Sequence, residues 1–351
     1  MSRWFTHKRV LGATLVIVLA FDGAALAQYK QINLVSNQAG MAKFVDSDLV
    51  NAWGISVSPT GPFWVSDNVT GLSTLYTGKG VKQSLVVTIP AAGGGTGSPT
   101  GTVFNGSSQF VVTGSNSSGP ALFLFATLDG TISGWNPEAD PTNAIIAVNN
   151  LSTGAVYTGL AITTHASGNY LYAADTANNK VDEYDGNFKF VTSFTDSTIP
   201  PGFTPYGIAD INGQVYVTFA STGTTPGGFI DIFAENGTFV KRFAQGKPLN
   251  QPWGMAVAPS NFGTFSNAFL VTNNLPQGTI NAFDASTGKF LGTLKENNRN
   301  IVIDQLWGIE FGQGNAMNGR KNQLFFSAGP DNYANGLFGV IQVSQYAVDR
   351  R

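Results

Sequence analysis

The chain has 351 residues, 42% of them hydrophobic and only 11% charged, with 19 Lys and Arg against 21 Asp and Glu for a net charge of −2. So few charges, slightly acidic in balance and without a basic run, exclude non-specific binding to nucleic acid, which draws on clustered Lys and Arg, and adhesion to anionic lipid. The absence of cysteine excludes disulfides, thiolate chemistry and a Cys-ligated metal, so packing alone must hold the fold.

At the start of the chain Arg3, Lys8 and Arg9 precede an apolar run from Val10 to Phe21 and then Ala25-Leu26-Ala27. This order of charged, apolar and small residues predicts a signal peptide over residues 1–27, cut after Ala27, and hence a secreted or periplasmic protein. The run of about a dozen apolar residues is short beside the roughly twenty that span a bilayer. No second span follows, so no stable membrane insertion is expected. Removing residues 1–27 leaves 16 bases and 20 acids.

Residues 28–351 read as one repeating domain. A small-residue pair followed by apolar alternation recurs at Trp53-Gly54-Ile55, Thr100-Gly101-Thr102, Thr158-Gly159-Leu160, Tyr206-Gly207-Ile208, Trp253-Gly254-Met255 and Trp307-Gly308-Ile309, at intervals of 47, 58, 48, 47 and 54 residues. A second register, Gly71, Gly130, Asn179, Gly228, Gly278 and Gly336, is followed five residues later by Tyr76, Trp135, Tyr184, Phe233, Phe283 and Ile341. Each unit holds short β-branched and aromatic runs closed by Gly, Pro or Asn, which predicts strands and turns. The unit beginning at Gln251 shows four such strands in a row. Two registers agreeing on six units predict an all-β, six-bladed propeller of four-stranded blades, a single domain despite its length.

The last unit shows only three strands, and Tyr29 to Val35 alternates like a strand without a unit. Residues 30–35 are therefore expected to supply the missing outer strand and close the ring, which also removes a free sheet edge. In the second unit an insertion, Gly106 to Gly119, predicts an extra hairpin or a longer strand. The preceding Ala91-Ala92-Gly93-Gly94-Gly95-Thr96-Gly97-Ser98-Pro99 reads as a flexible connector rather than a phosphate loop, because neither a Lys-Ser/Thr pair nor a helix start follows.

The run Pro252-Trp253-Gly254-Met255-Ala256-Val257, Phe269 to Asn274 and Gly278 to Phe283 resembles the NHL-type six-bladed propeller. More closely, Asn51-Ala52-Trp53-Gly54, Ala121 to Pro137 and Gln305-Leu306-Trp307-Gly308-Ile309 resemble a family of secreted bacterial propellers of unknown function, over nearly the whole of residues 28–351. Some members of that family end in an exosortase-type sorting tail. The closing Ala347-Val348-Asp349-Arg350-Arg351 does not resemble one, so anchoring by that route is not expected.

Chemistry-bearing residues are sparse. His165, the one histidine beyond residue 7, falls where a turn between first and second strands is expected, so His-based zinc or copper sites and a Ser-His-Asp triad find no support. What remains is an aromatic and amide-rich loop face. The loops entering the first strands place Asn51, Trp53, Tyr206, Trp253 and Trp307 there, and the loops between second and third strands place Asp175, Asn273 and Asp331. Rings beside amides and carboxylates suit a polar organic ligand such as a sugar, although Asp and Asn after strands also cap turns and Trp before Gly also packs between blades.

Two functions follow as expectations. One is a non-catalytic, monomeric propeller that binds an extracellular small molecule, glycan or protein through this face. The alternative resembles propeller lactonases and esterases, with Ca2+ in the central channel held by Glu310, Asp175 and Asn273 and polarising a substrate carbonyl. The predicted inner strands carry only Asp210 and Glu310 as acids. Glu310 is the sharper of the two, since Ser56, Val103, Ala161, Ala209 and Ala256 fill its place elsewhere. It faces either the channel or a blade seam, where Arg299 or Lys321 would have to neutralise it.

Overall fold

The computed structural model describes residue 1 and residues 28–115, 117–165 and 168–344. The expected signal peptide thus lies outside the described residues, and His165 is described only as the last residue of the strand Tyr157–His165.

Six sheets are arranged as blades, and in the first five the four antiparallel strands follow the chain from the inside outwards. The first blade is Ala52–Val57, Phe63–Asp67, Leu72–Tyr76 and Lys82–Thr88, and the fifth is Pro252–Val257, Phe269–Asn273, Ile280–Phe283 and Phe290–Thr293. The ring closes as the alternation of residues 30–35 predicts. Tyr29–Ser36 pairs antiparallel with Leu337–Val343, from Tyr29 opposite Val343 to Ser36 opposite Leu337, and so becomes the fourth strand of the sixth blade. The short strand Phe44–Val45 then adds a fifth, in parallel. The insertion of the second blade forms a two-stranded hairpin, Val111–Thr113 with Ser118–Pro120. A second small hairpin, Lys295–Glu296 with Arg299–Asn300, has no counterpart in the sequence reading.

The core is divided among the seams between blades, because each sheet is apolar on both faces. Phe63, Val65 and Tyr76 meet Phe325 and Phe338 across the closing seam. Trp64 and Leu75 meet Phe123, Phe125 and Trp135. Leu270 and Ile280 meet Leu306, Leu324 and Phe326. The large residues five places into the third strands are all buried, which is why they repeat. Burial of each such side chain contributes about 1.5–3 kcal/mol.

The first strands touch through their glycines. A Cβ on Gly54 would strike the Thr100 carbonyl, one on Gly101 the Leu160 amide, and one on Gly207 the Trp253 carbonyl. On Gly254 it would lie 2.6 Å from the Trp307 carbonyl, and on Gly308 2.7 Å from Ile55. The repeated glycine is therefore the contact that draws neighbouring inner strands together around the axis.

Hydroxyls stitch the same contact. Thr272 accepts a hydrogen bond from the Gly254 amide at 2.7 Å and donates to the Trp307 carbonyl of the next blade at 2.8 Å. Ser327 likewise accepts from Gly308 at 3.0 Å and donates to Trp53 at 2.5 Å. Thr100 and Thr158 reach the Tyr157 and Tyr206 carbonyls from first strands instead. Replacing Thr272 by Val keeps the shape but orphans a buried amide and a buried carbonyl, so Thr272→Val should cost about 1–3 kcal/mol. Urea unfolding midpoints at unchanged slope would measure it.

Candidate functional site

One end of the axis is sealed. Asn51, Gln251 and Gln305 adopt left-handed backbone, with φ of 48°, 52° and 49°, and the chain then enters the first strand through Trp53, Trp253 and Trp307. The three indoles converge: Trp53 stacks on Trp307 with centroids 3.7 Å apart, and Trp253 meets Trp307 edge-on at 5.8 Å. Tyr206 and Tyr333 flank Trp307 at 5.8 and 5.6 Å. Two of the indole N–H groups are anchored, Trp253 to the Thr158 carbonyl and Trp307 to the Asn51 amide oxygen, both at 2.9 Å. Asp331, Asn332 and Tyr333 take φ of 58°, 54° and 71° in succession. Such backbone is costly for a tyrosine. It folds Tyr333 over the cap, where its hydroxyl donates to Asn274 at 2.9 Å.

Of the two readings of this face, a ligand rim or packing and turn caps, the tryptophans take the second and form a closed plug, with Trp53, Trp253 and Trp307 8% exposed or less. Its amides and acids serve the loops. Asn51 donates to Asn68. Asp175 is buried and accepts from the Val156 amide, the Asn178 amide and the Asn178 side chain. Asn273 accepts from the Asn250 amide and donates to the Pro248 carbonyl. Asp331 is the exception in being exposed, yet it accepts from both Gln38 and Asn335 at 2.7 Å. The turn-capping role prevails at Asp175 and Asn273, which lie where a loop leaves orphan amides, whereas Asn51 and Asp331 bond to other loop side chains.

Beyond the plug the axis opens into a pit of about 330 Å³. Trp253 and the glycines form its floor. Ile55, Leu160, Ile208, Met255 and Ile309 give it apolar walls, and Ser56, Thr102, Asp210 and Glu310 supply the polar groups. Val57, Phe104, Ile162, Asp210 and Glu310 keep partial exposure, so the mouth lies on the face opposite the tryptophans.

Glu310 thus faces the channel. Among the described residues no ion pair joins it to Arg299 or Lys321, and no Lys, Arg or His lines the pit. Burial pushes its carboxyl up to about 7, against a smaller opposing effect of the Phe311 amide. The Thr102 hydroxyl, in a residue 6% exposed, has no hydrogen-bond partner. Thr102 and Ser56 carry no signal in the sequence beyond their place in the first-strand register.

The expected Ca2+ ligands are not brought together. Asp175 lies opposite Tyr157 and Asn273 opposite Pro252, both at the starts of first strands. Glu310 stands four residues into its own strand, Leu306–Phe311, or about 13 Å further along the axis. Among the described residues no group of three His, Cys, Asp or Glu is placed to hold a metal ion. These side chains do not fit the cation that a lactonase-type step would need.

No protein-family model matches the chain. It is 32% identical over 335 residues, 90% of its own length and 81% of the relative's, to uncharacterized protein R648 of Acanthamoeba polyphaga mimivirus. To uncharacterized protein L690 of the same virus it is 32% identical over 339 residues, 92% of this chain and 87% of the other. Among solved structures it is similar to XC5397, a gluconolactonase from Xanthomonas campestris, with a TM-score of 0.56, 12% identity, and coverage of 85% and 87% of the two chains. A likeness at that identity shows the propeller fold alone.

Proposed function

The chain belongs to the family of the mimivirus proteins R648 and L690, and from that footing we propose that it is a non-catalytic propeller that binds a small molecule in its axial pit. The observation that carries this reading is a carboxylate that, among the described residues, has no counter-ion at the wall of a half-open cavity. A structural propeller would fill that position as the other five blades do, with Ser, Val or Ala. The volume stands at the lower end of the range for small-molecule sites, and the apolar walls with a few polar groups have the usual composition of one.

The loop face of the earlier expectation is replaced in this reading by the opposite mouth. Export remains part of the proposal. It is supported by the order of charged, apolar and small residues over 1–27, so the ligand would be met outside the cytoplasm. The relatives reported above are viral, and the bacterial source implied by the resemblance is not carried forward. Among the described residues no helix is long and apolar enough to cross a membrane.

The test is a small-molecule screen by thermal unfolding on the purified protein and a Glu310→Gln variant. A ligand at a hundred times its dissociation constant stabilises by about 2.7 kcal/mol, a shift of several degrees. Compounds that raise the wild-type midpoint and not the variant's would support the pit. Compounds that stabilise both proteins equally would place binding elsewhere and sink the proposal.

A further inference from the structure

We infer that the ligand of the pit is a small organic cation, an ammonium group on a compact apolar body. This rests on the proposal that the pit is the binding site and names the chemistry that would recognise its occupant.

Three properties of the lining point the same way. Its described charge is negative: Glu310 from the sixth blade faces the pit with no base among the described lining residues, while Asp210 from the fourth accepts the Gly213 amide at its turn. An anion would meet that field unfavourably, whereas a cation would replace the hydration that Glu310 loses by its setting. Next, Thr102 of the second blade lines the same cavity, and its hydroxyl, in a residue more than nine-tenths buried, lacks a partner. An ammonium has three N–H donors, enough to meet the Glu310 carboxylate and a hydroxyl besides. Finally, Ile55, Leu160, Ile208, Met255 and Ile309 can cover only an apolar remainder, and about 330 Å³ limits it to a small one.

A divalent cation is the competing occupant, and the donors argue against it. Calcium takes six to eight oxygens. The described lining offers two carboxylates and two hydroxyls spread over four blades, and no acidic or imidazole trio is close enough to act together.

The probes are benzylamine, benzyl alcohol and benzoate, which share a body and differ in charge, together with calcium chloride. Calorimetric titration of each into wild type, Glu310→Gln and Thr102→Val provides the readout. The inference expects benzylamine to bind wild type at least about tenfold more tightly than benzyl alcohol, a difference of 1.4 kcal/mol. It expects that preference to vanish in Glu310→Gln and benzoate not to bind. Alcohol binding as well as amine, with both displaced from the pit by the same competitor, would overturn the cationic class while leaving the pit as a binding site. Saturable calcium binding that excludes the amine would overturn it in favour of a metal. Absence of saturable binding by all four probes would overturn the inference and the pit together. Circular dichroism melts of each variant separate loss of binding from loss of fold, and Thr102→Val, which removes one acceptor without altering charge, should weaken the amine and leave the alcohol unchanged.

Discussion

Gly207→Ala should be among the most damaging single-methyl additions to this protein, lowering its stability by about 3 kcal/mol. The new Cβ would collide with the Trp253 carbonyl and lie 2.9 Å from the Thr218 hydroxyl, which itself accepts the Gly207 amide at 2.8 Å. Neither neighbour can retreat, since the carbonyl belongs to the next inner strand and its side chain is pinned in the plug by the bond to Thr158. Overpacking of a tight interior typically costs 1–3 kcal/mol and more where backbone must move. Gly93→Ala supplies the contrast: nothing lies within 4 Å of its added Cβ, so its midpoint in urea should match wild type. Equal midpoints for the two variants would mean that the blades can separate at the fourth seam without penalty.

That same glycine shows how much of the fold was legible in the sequence. Its recurrence in six units fixed the number of blades, and the unpaired alternation of residues 30–35 foretold closure by Tyr29–Ser36. The cause of the recurrence was not legible, because a backbone-to-backbone contact between strands some fifty residues apart leaves only the absence of a side chain as its trace. The tryptophans before Gly54, Gly254 and Gly308 suit a ligand rim and packing between blades alike, and the sequence does not decide between the two. What turns them inward is the left-handed conformation at Asn51, Gln251 and Gln305, and an amide residue two places before each Trp was the available signal. Thr272 and Ser327 stand at matching positions of their second strands, yet a hydroxyl that bonds across a seam looks in sequence like any β-branched or small strand residue. Glu310 could be singled out, because the other five blades place Ser, Val or Ala at its position. Its setting in a pit with Thr102 and Asp210 required the ring.

Glu310→Gln should stabilise the protein at pH 8 and not at pH 4. Burial raises the Glu310 carboxyl from 4.5 to about 7 in the folded chain, so between those values the folded state holds a proton that the unfolded state releases. Its stabilising effect relative to neutral pH is fully present below about pH 4.5 and is lost as pH rises to about 7. Above that, wild type carries a desolvated anion that Gln does not. A pKa unit corresponds to 1.36 kcal/mol; with allowance for the partial exposure of the group, the variant should gain roughly 1–3 kcal/mol at pH 8. The buried acids Glu183 and Asp231, also pushed to about 7, titrate in the same window but in both proteins, so they cancel in the difference. Urea unfolding at several pH values checks this. A difference that does not grow between pH 5 and 7 would mean that Glu310 is hydrated or paired, removing the uncompensated charge with which the pit would hold its ligand. A difference that grows as expected would show a residue kept at a standing cost to the fold, which is the usual mark of a binding group and not of a structural one.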